Sequence, residues 1–201
     1  MLLFYSGSVN PDNPSSPERS LGGYCSSTQV PNGSINNLFS TITRQVIKSN
    51  TRELRLIVLK NVSGQAVNNI LIYTTTPVDS YEQLRLAAVS PAYDQQCNKF
   101  FFEQLQSSDQ LPYQATLNSH EGVGAAISAN VVLEPGKLIG IWVERTFKQT
   151  TIDKFVTSTP QCSDKAIAAL EQLQLPQSDD NLQLNIDYDF VPTTTTTTTI
   201  I

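Results

Sequence analysis

The amino-acid sequence predicts a mainly β protein, an antiparallel immunoglobulin-like sandwich with an extension at each end. Near the C-terminus, apolar and polar residues alternate strictly from residue 182 to residue 190, as in a strand with one buried face. Residues 52–60 alternate at first and then become apolar on both faces, which is typical of a buried strand. Short β-rich runs separated by turn-forming residues complete the pattern of a sandwich.

Residues 1–50 are expected to form an N-terminal arm that runs over a neighbouring surface. Prolines, asparagines and serines fill residues 10–17, and Gly22-Gly23 adds a further break. Disorder is the alternative, because such residues do not offset the entropy lost on ordering. Two apolar anchors favour an arm that docks. The anchor residues are Leu2, Leu3, Phe4 and Tyr5 in the first and Leu38 and Phe39 in the second.

Residues 51–148 are predicted to form the sandwich core. Strands are expected at residues 52–60, 67–75, 84–89, 126–133 and 137–147. The first two lie at hairpin distance, and Glu134-Pro135-Gly136 forms a tight turn between the last two. The single tryptophan, Trp142, is expected in the core. Residues 95–107 remain open, either as a strand or as one or two helical turns.

Residues 149–191 are predicted to contain one short helix and a final strand that packs on the core. The helix spans residues 163–173, where Ser163 or Asp164 can cap its start, and Pro176 stops it. The strand follows at residues 181–191. The last segment, residues 192–201, is a threonine-rich tail whose β-branched residues favour extended backbone. It either adds a strand to a neighbour or stays disordered.

The composition limits the classes of partner. Hydrophobic residues make up 39% of the chain and charged residues only 15%, so much of the surface is neutral and polar. The net charge is -5 and the basic residues are scattered, which argues against direct nucleic-acid recognition. No apolar run approaches the roughly 18 residues of a membrane span. The apolar start is too short for a signal peptide, so we expect assembly in a cytoplasm.

The sequence offers no catalytic, cofactor or metal site. Cys25, Cys97 and Cys162 are widely spaced, unlike the paired cysteines of a zinc site or disulfide framework. The single histidine, His120, is interpreted as a surface residue, and a dyad with Cys97 or Cys162 is the weaker alternative. Asp187 and Asp189 share one strand face without a calcium-loop pattern. No glycine-rich phosphate loop is present, so we expect a non-enzymatic protein without a cofactor.

Several short motifs occur in an order that carries a resemblance. They are Phe4-Tyr5-Ser6-Gly7, Leu21-Gly22-Gly23, Ser26-Ser27-Thr28, Asn36-Asn37-Leu38-Phe39, Leu59-Lys60-Asn61, residues 140–146 and the final alternating strand. In this order the chain resembles structural proteins of tailed bacteriophages, most closely the connector and tail ring proteins of crAss-like short-tailed phages. Glu144 departs from the pattern, because relatives in this group often carry a second basic residue there.

The resemblance implies a virion structural protein, assembled in the host cytoplasm, that forms a ring in the portal–tail connector or tail. Its partners would be copies of itself, in a dodecamer, and neighbouring portal, ring or tail proteins. Arm and tail would lock neighbours together. The expected interaction residues are Leu2, Leu3, Phe4, Tyr5, Leu38, Phe39, Thr193, Thr196, Thr199, Ile200 and Ile201.

Two alternatives remain open. The first is a capsid decoration or head fibre-base protein, which would bind the capsid lattice. The second is a carbohydrate-binding module at the tail tip, which would expose aromatic side chains. Tyr81, Tyr93 and Tyr113 are the candidates, unless these residues fill the core and its loops.

Overall fold

The computed structural model describes residues 2–11, 13–30, 38–39, 42–75, 82–113, 115–129, 131–148 and 183–191, and most of their regular structure is β. The strands, in chain order, are β1 (Leu2–Ser8), β2 (Gly23–Gln29), β3 (Glu53–Asn61), β4 (Val67–Thr75), β5 (Glu82–Val89), β6 (Ala92–Asp94), β7 (Lys99–Phe102), β8 (Ile127–Ala129), β9 (Leu138–Phe147) and β10 (Gln183–Phe190). Among the described residues, the only α-helix is α1 (Arg44–Lys48), which Thr43 caps by accepting a hydrogen bond from the Val46 amide.

The strands form two antiparallel sheets. Within the described ranges, the first contains seven strands in the order β5-β9-β3-β1-β2-β7-β6, and the second contains three in the order β10-β4-β8. Apolar residues of both sheets, such as Ile57 and Ile141 of the first and Ile70 and Ile72 of the second, form one buried cluster. The mainly β, sandwich-like class is therefore confirmed. The described residues do not confirm the immunoglobulin-like arrangement, since they form sheets of seven and three strands instead of the usual four and three.

The large sheet curls, so both faces of its centre are buried. Phe102 of β7 contacts Gly140 of β9, although three strands separate β7 from β9 in the sheet. Phe102 and Leu105 cover a second apolar cluster on the face opposite the small sheet; its β3, β5 and β9 members are Leu54, Leu56, Val58, Ala87 and Trp142. This arrangement confirms Trp142 as a core residue and explains why residues 56–59 are apolar on both faces.

The N-terminal strands belong to the large sheet. β1 lies between β3 and β2, with Phe4 opposite Leu59 and Tyr5 opposite both Val58 and Gln29. The large sheet therefore contains strands from both sides of residue 50, where the boundary between arm and core was predicted. Contacts of this segment with a neighbouring copy stay a prediction.

Strands expected to be hairpin neighbours lie in different sheets. β3 pairs with β1 and β9, whereas β4 pairs with β10 and β8. The side chain of Asn61 fixes the corner after β3, because its amide donates to the carbonyls of Gln65, at 2.8 Å, and Leu133, at 2.7 Å. The predicted turn at residues 134–136 also joins the two sheets, with Gly136 at φ 78°.

The remaining predictions divide into two groups. The final strand is confirmed as β10, and the ambiguous segment 95–107 contains β7. The predicted helix at residues 163–173, Cys162, Tyr81 and the tail at residues 192–201 lie outside the described residues.

Candidate functional site

Five of the six expected interaction residues in the first half of the chain pack within its own fold, and the sixth, Leu3, lies opposite Lys60 in the large sheet. Leu38 and Phe39 are 2% and 8% exposed and pack between the sheets. Leu2 and Phe4 are partly buried against the same cluster, and Tyr5 packs on the opposite face of the sheet. Thr193, Thr196, Thr199, Ile200 and Ile201 lie outside the described residues.

The C-terminal strand β10 forms an edge of the small sheet. It pairs with β4 from Gln183 opposite Thr75 to Phe190 opposite Val67. Within the described ranges, no strand pairs with its other edge. Ile186 and Tyr188 pack towards the core, and Phe190 at the end of the strand is 47% exposed.

The two aspartates of β10 lie on its outer face and are held by β4. The Tyr73 hydroxyl donates to Asp187 at 3.2 Å, and the Asn69 amide donates to Asp189 at 3.0 Å. Asn69 has a φ of 49° at the irregularity in the β4–β10 register. The carboxylates are therefore fixed to their own sheet rather than arranged around a shared ligand.

The candidate nucleophiles and the histidine have separate partners. The Nδ1 atom of His120 lies 2.7 Å from the carbonyl of Ala125. The thiol of Cys97 lies 3.7 Å from the hydroxyl of Tyr24. Burial raises the pKa of the Cys25 thiol to about 11, so its reactive thiolate is scarce at neutral pH. Within the described ranges, no three His, Cys, Asp or Glu residues are grouped as metal ligands.

Sequence reasoning missed two clusters of buried charge, and a glutamate of β9, Glu144, lies at the centre of the first. Glu144 is fully buried on the face that contains Trp142, and it lies between Arg52 and Arg85. Arg52 Nε is 2.7 Å from one of its carboxylate oxygens, and Arg85 contacts the other. Among the described residues, neither oxygen has an aligned hydrogen-bond donor, so charge attraction holds this group, which we call the Glu144 centre.

The next residue of β9, Arg145, lies at the centre of the second cluster, in which the charges are reversed: one cation lies between two acids. Arg145 is 4% exposed on the other face and lies between Glu53 and Glu82, with its Nη1 atom 3.0 Å from Glu82. Its guanidinium also lies 4.9 Å from the Phe39 ring centroid and 5.8 Å from that of Phe147. We call this group the Arg145 centre.

The signal for both centres is present in the sequence. Glu144-Arg145 interrupts the most apolar strand of the chain, and charged residues cluster at positions 52, 53, 55, 82 and 85. Charges inside an apolar strand need partners, because an unpaired buried charge is costly. Which partners they find depends on strand pairing, and the spacing along the chain does not reveal it.

The β6–β7 hairpin exposes aromatic rings beside a polar cluster. Tyr93 is 49% exposed and packs edge-on against Phe100, with ring centroids 5.1 Å apart. The ammonium of Lys137 lies 4.8 Å from the Phe100 centroid. At the turn, the Tyr24 hydroxyl donates to Asp94, whose other oxygen accepts from the amides of Gln96 and Cys97.

Tyr113 is 90% exposed, so neither Tyr93 nor Tyr113 is a core residue. A cleft of about 510 Å³ opens beside the loop after β1. It is lined by Ser8, Val9, Pro14, Ser15, Ser16, Arg19, Gly22 and Gln104.

No protein-family model matches the chain, and no curated protein or solved structure matches it significantly. None of the helices in the described ranges is long and apolar enough to cross a membrane.

Proposed function

We propose that the protein is a non-enzymatic structural component of a tailed-bacteriophage virion. In this role, copies of the chain form a ring in the portal–tail connector or tail, where they contact portal, ring or tail proteins. The sandwich serves as a rigid block, and a terminal extension of each copy holds the next copy.

One structural observation carries this proposal. A long edge strand, β10, leads through Val191 directly into the threonine tail, and Val191 is still tied to the block by a 2.9 Å hydrogen bond to Ala66. The tail therefore leaves from a rigid point beside an edge that can accept a strand. The motif resemblance and the neutral polar composition support the assignment to a virion.

We place the contact between copies at the C-terminal tail instead of at the two N-terminal anchors. Leu38 and Phe39 are buried in their own chain, and Leu2 and Phe4 pack on the same core. Releasing them would expose apolar surface that the fold already uses. We therefore assign the contact between copies to the C-terminal tail, with Thr193, Thr196, Thr199, Ile200 and Ile201 as its residues.

Deletion of residues 192–201 tests the mechanism. The truncated chain should keep the circular dichroism of a folded β protein but fail to enter particles during infection. A matched control replaces Thr193, Thr196 and Thr199 with valine, which keeps β-branching and should permit assembly. Normal assembly of the truncated chain would refute tail exchange.

The virion assignment is tested by size-exclusion chromatography with light scattering, followed by electron microscopy of the parent virion. A free monomer that appears as a ring near the portal would support the proposal. A stable trimer on the head surface would replace it with the capsid decoration role.

Carbohydrate binding at the tail tip is a second candidate, because Tyr93 and Tyr113 expose their rings. Exposed aromatic rings can stack on the apolar faces of sugars. A glycan array should then give hits that Tyr93→Ala or Tyr113→Ala removes. An array without hits would eliminate this candidate.

A further inference from the structure

β10 is the longest strand edge that the described residues leave open. The other edge strands differ: β6 and β8 have only three residues each. β5 is longer, but Leu86 exchanges two backbone hydrogen bonds with Asn118, at 2.8 and 3.1 Å, across its outer edge. β10 has eight residues, a length of about 26 Å at roughly 3.3 Å per residue.

Within the described ranges, the open edge of β10 has no covering strand and no residue that blocks pairing. It contains no proline, lysine or arginine. Its two acidic side chains are bonded to Tyr73 and Asn69 of β4, on the side away from the open edge. An unprotected edge of this length is a template for strand addition.

We infer that this edge accepts, as an added strand, the threonine tail (residues 193–199) of a second copy; the inference rests on the self-assembly proposed above. The seven tail threonines are β-branched and uncharged, which suits an extended strand beside two carboxylates.

Two other occupants of the edge fit less well. A second β10 paired across a two-fold axis would bring carboxylates close to carboxylates, and like charges on facing strands are destabilising. The tail of the same chain would have to reverse at Val191-Pro192-Thr193. That sequence has none of the glycine or asparagine residues that a tight hairpin requires.

A tail that pairs with the next copy gives a head-to-tail contact. Such a contact uses two different surfaces, so it repeats around a ring when the rotation closes. A two-fold contact between identical edges would instead stop at a dimer. The inferred pairing therefore supplies the kind of interface that a ring needs.

The test is a photo-cross-link in the full-length chain, with benzoylphenylalanine in place of Thr196. Natural-abundance and isotopically heavy chains are mixed, irradiated and digested, and mass spectrometry identifies the joined peptides. We expect mixed-isotope cross-links from residue 196 to residues 183–191. Three results would overturn the inference: cross-links only within one chain, cross-links to another surface, or no cross-link at the highest soluble concentration.

A pair of charge reversals provides the matched control. Asp189→Lys places a lysine on the accepting strand and should lower the cross-link yield about tenfold, as edge lysines discourage pairing. Asp109→Lys makes the same change at an exposed loop and should leave the yield unchanged. Equal yields in both variants would also overturn the inference.

The outcome separates the inference from the proposed function. If residue 196 cross-links elsewhere while tail deletion still blocks assembly, the accepting edge is wrong and the virion role stands. If the β10 cross-link forms but the protein is missing from virions, the pairing stands and the virion role fails.

Discussion

Glu144 and Arg145 are neighbours on β9 that point to opposite faces of the sheet, and each lies between two side chains of opposite charge. The partners of Glu144 are 36% and 35% exposed, whereas those of Arg145 are only 10% exposed. The two centres should therefore respond differently when the central residue is removed.

Arg145→Met should destabilise the protein more than Glu144→Gln. Loss of Arg145 removes the cation that contacts both buried carboxylates, Glu53 and Glu82, and breaking a buried pair in this way costs about 3–5 kcal/mol. Loss of the Glu144 charge frees Arg52 and Arg85 to reach water, so we expect a cost of about 1–2 kcal/mol. Urea denaturation of both variants measures the free energy of unfolding. Equal losses of unfolding free energy in the two variants would contradict the argument from the different burial of the partner side chains.

Glu82→Gln should change how stability depends on pH. Burial raises the pKa of the Glu82 carboxyl, Arg145 opposes this, and Glu53 adds to it. A raised pKa means that the folded state binds more protons than the unfolded state, so stability falls as pH rises above the ordinary value of 4.5. The neutral glutamine avoids this loss and still accepts a hydrogen bond from Arg145.

We therefore expect Glu82→Gln to be at least as stable as the parent protein at pH 7. Its advantage should shrink at pH 4, where the parent carboxyl is largely protonated. Urea midpoints at the two pH values provide the measurement. A variant that loses as much stability at pH 7 as Arg145→Met would show that charge pairing outweighs burial.

Gly140→Ala should disturb the curl of the large sheet. A Cβ atom at this position would lie 2.5 Å from Cε1 of Phe102, and overpacking of this kind costs about 1–3 kcal/mol. Gly64→Ala is the matched control, because nothing lies within 4 Å of its Cβ position. The cost of Gly140→Ala should also shrink when Phe102 is replaced by leucine, as expected for residues in contact. Additive costs in the double variant would argue against this contact.

Tyr24→Phe should raise the pKa of Asp94. The hydrogen bond from Tyr24 is the main cause that lowers the pKa of this carboxyl, followed by the amide of Cys97. The same bond raises the pKa of Tyr24, since it favours the protonated phenol. Carboxyl NMR titration of the two proteins measures the shift. An unchanged Asp94 titration would show that the hydrogen bond is absent in solution.

The sequence was most informative where a strand is mostly apolar on both faces. Residues 52–60 and 137–147 predict β3 and β9, because both faces of these strands are buried. The alternation of apolar residues with polar ones, which include Asp187 and Asp189, predicts β10. These patterns reflect local burial, which a single segment can display. The turn at Glu134-Pro135-Gly136 was equally readable from its proline and glycine.

Strand pairing was less predictable. Asn61 looked like part of a hairpin turn, but its side chain bonds to Leu133 far along the chain and directs β4 into the other sheet. β1 was predicted to belong to an arm, because prolines and glycines follow it in the sequence. In the structure it lies inside the large sheet, between β3 and β2. Partners distant in sequence also explain why the two charge centres escaped prediction.

The central position of β3 has a consequence for synthesis on the ribosome. Glu53 meets Arg145 across 92 residues, a stretch that takes roughly 5–18 s to translate at about 5–20 residues per second. During that interval the most apolar edge of the growing sheet has no partner from its own chain. Neighbouring growing chains can pair through this edge, so fast translation, which shortens the interval, should favour correct folding.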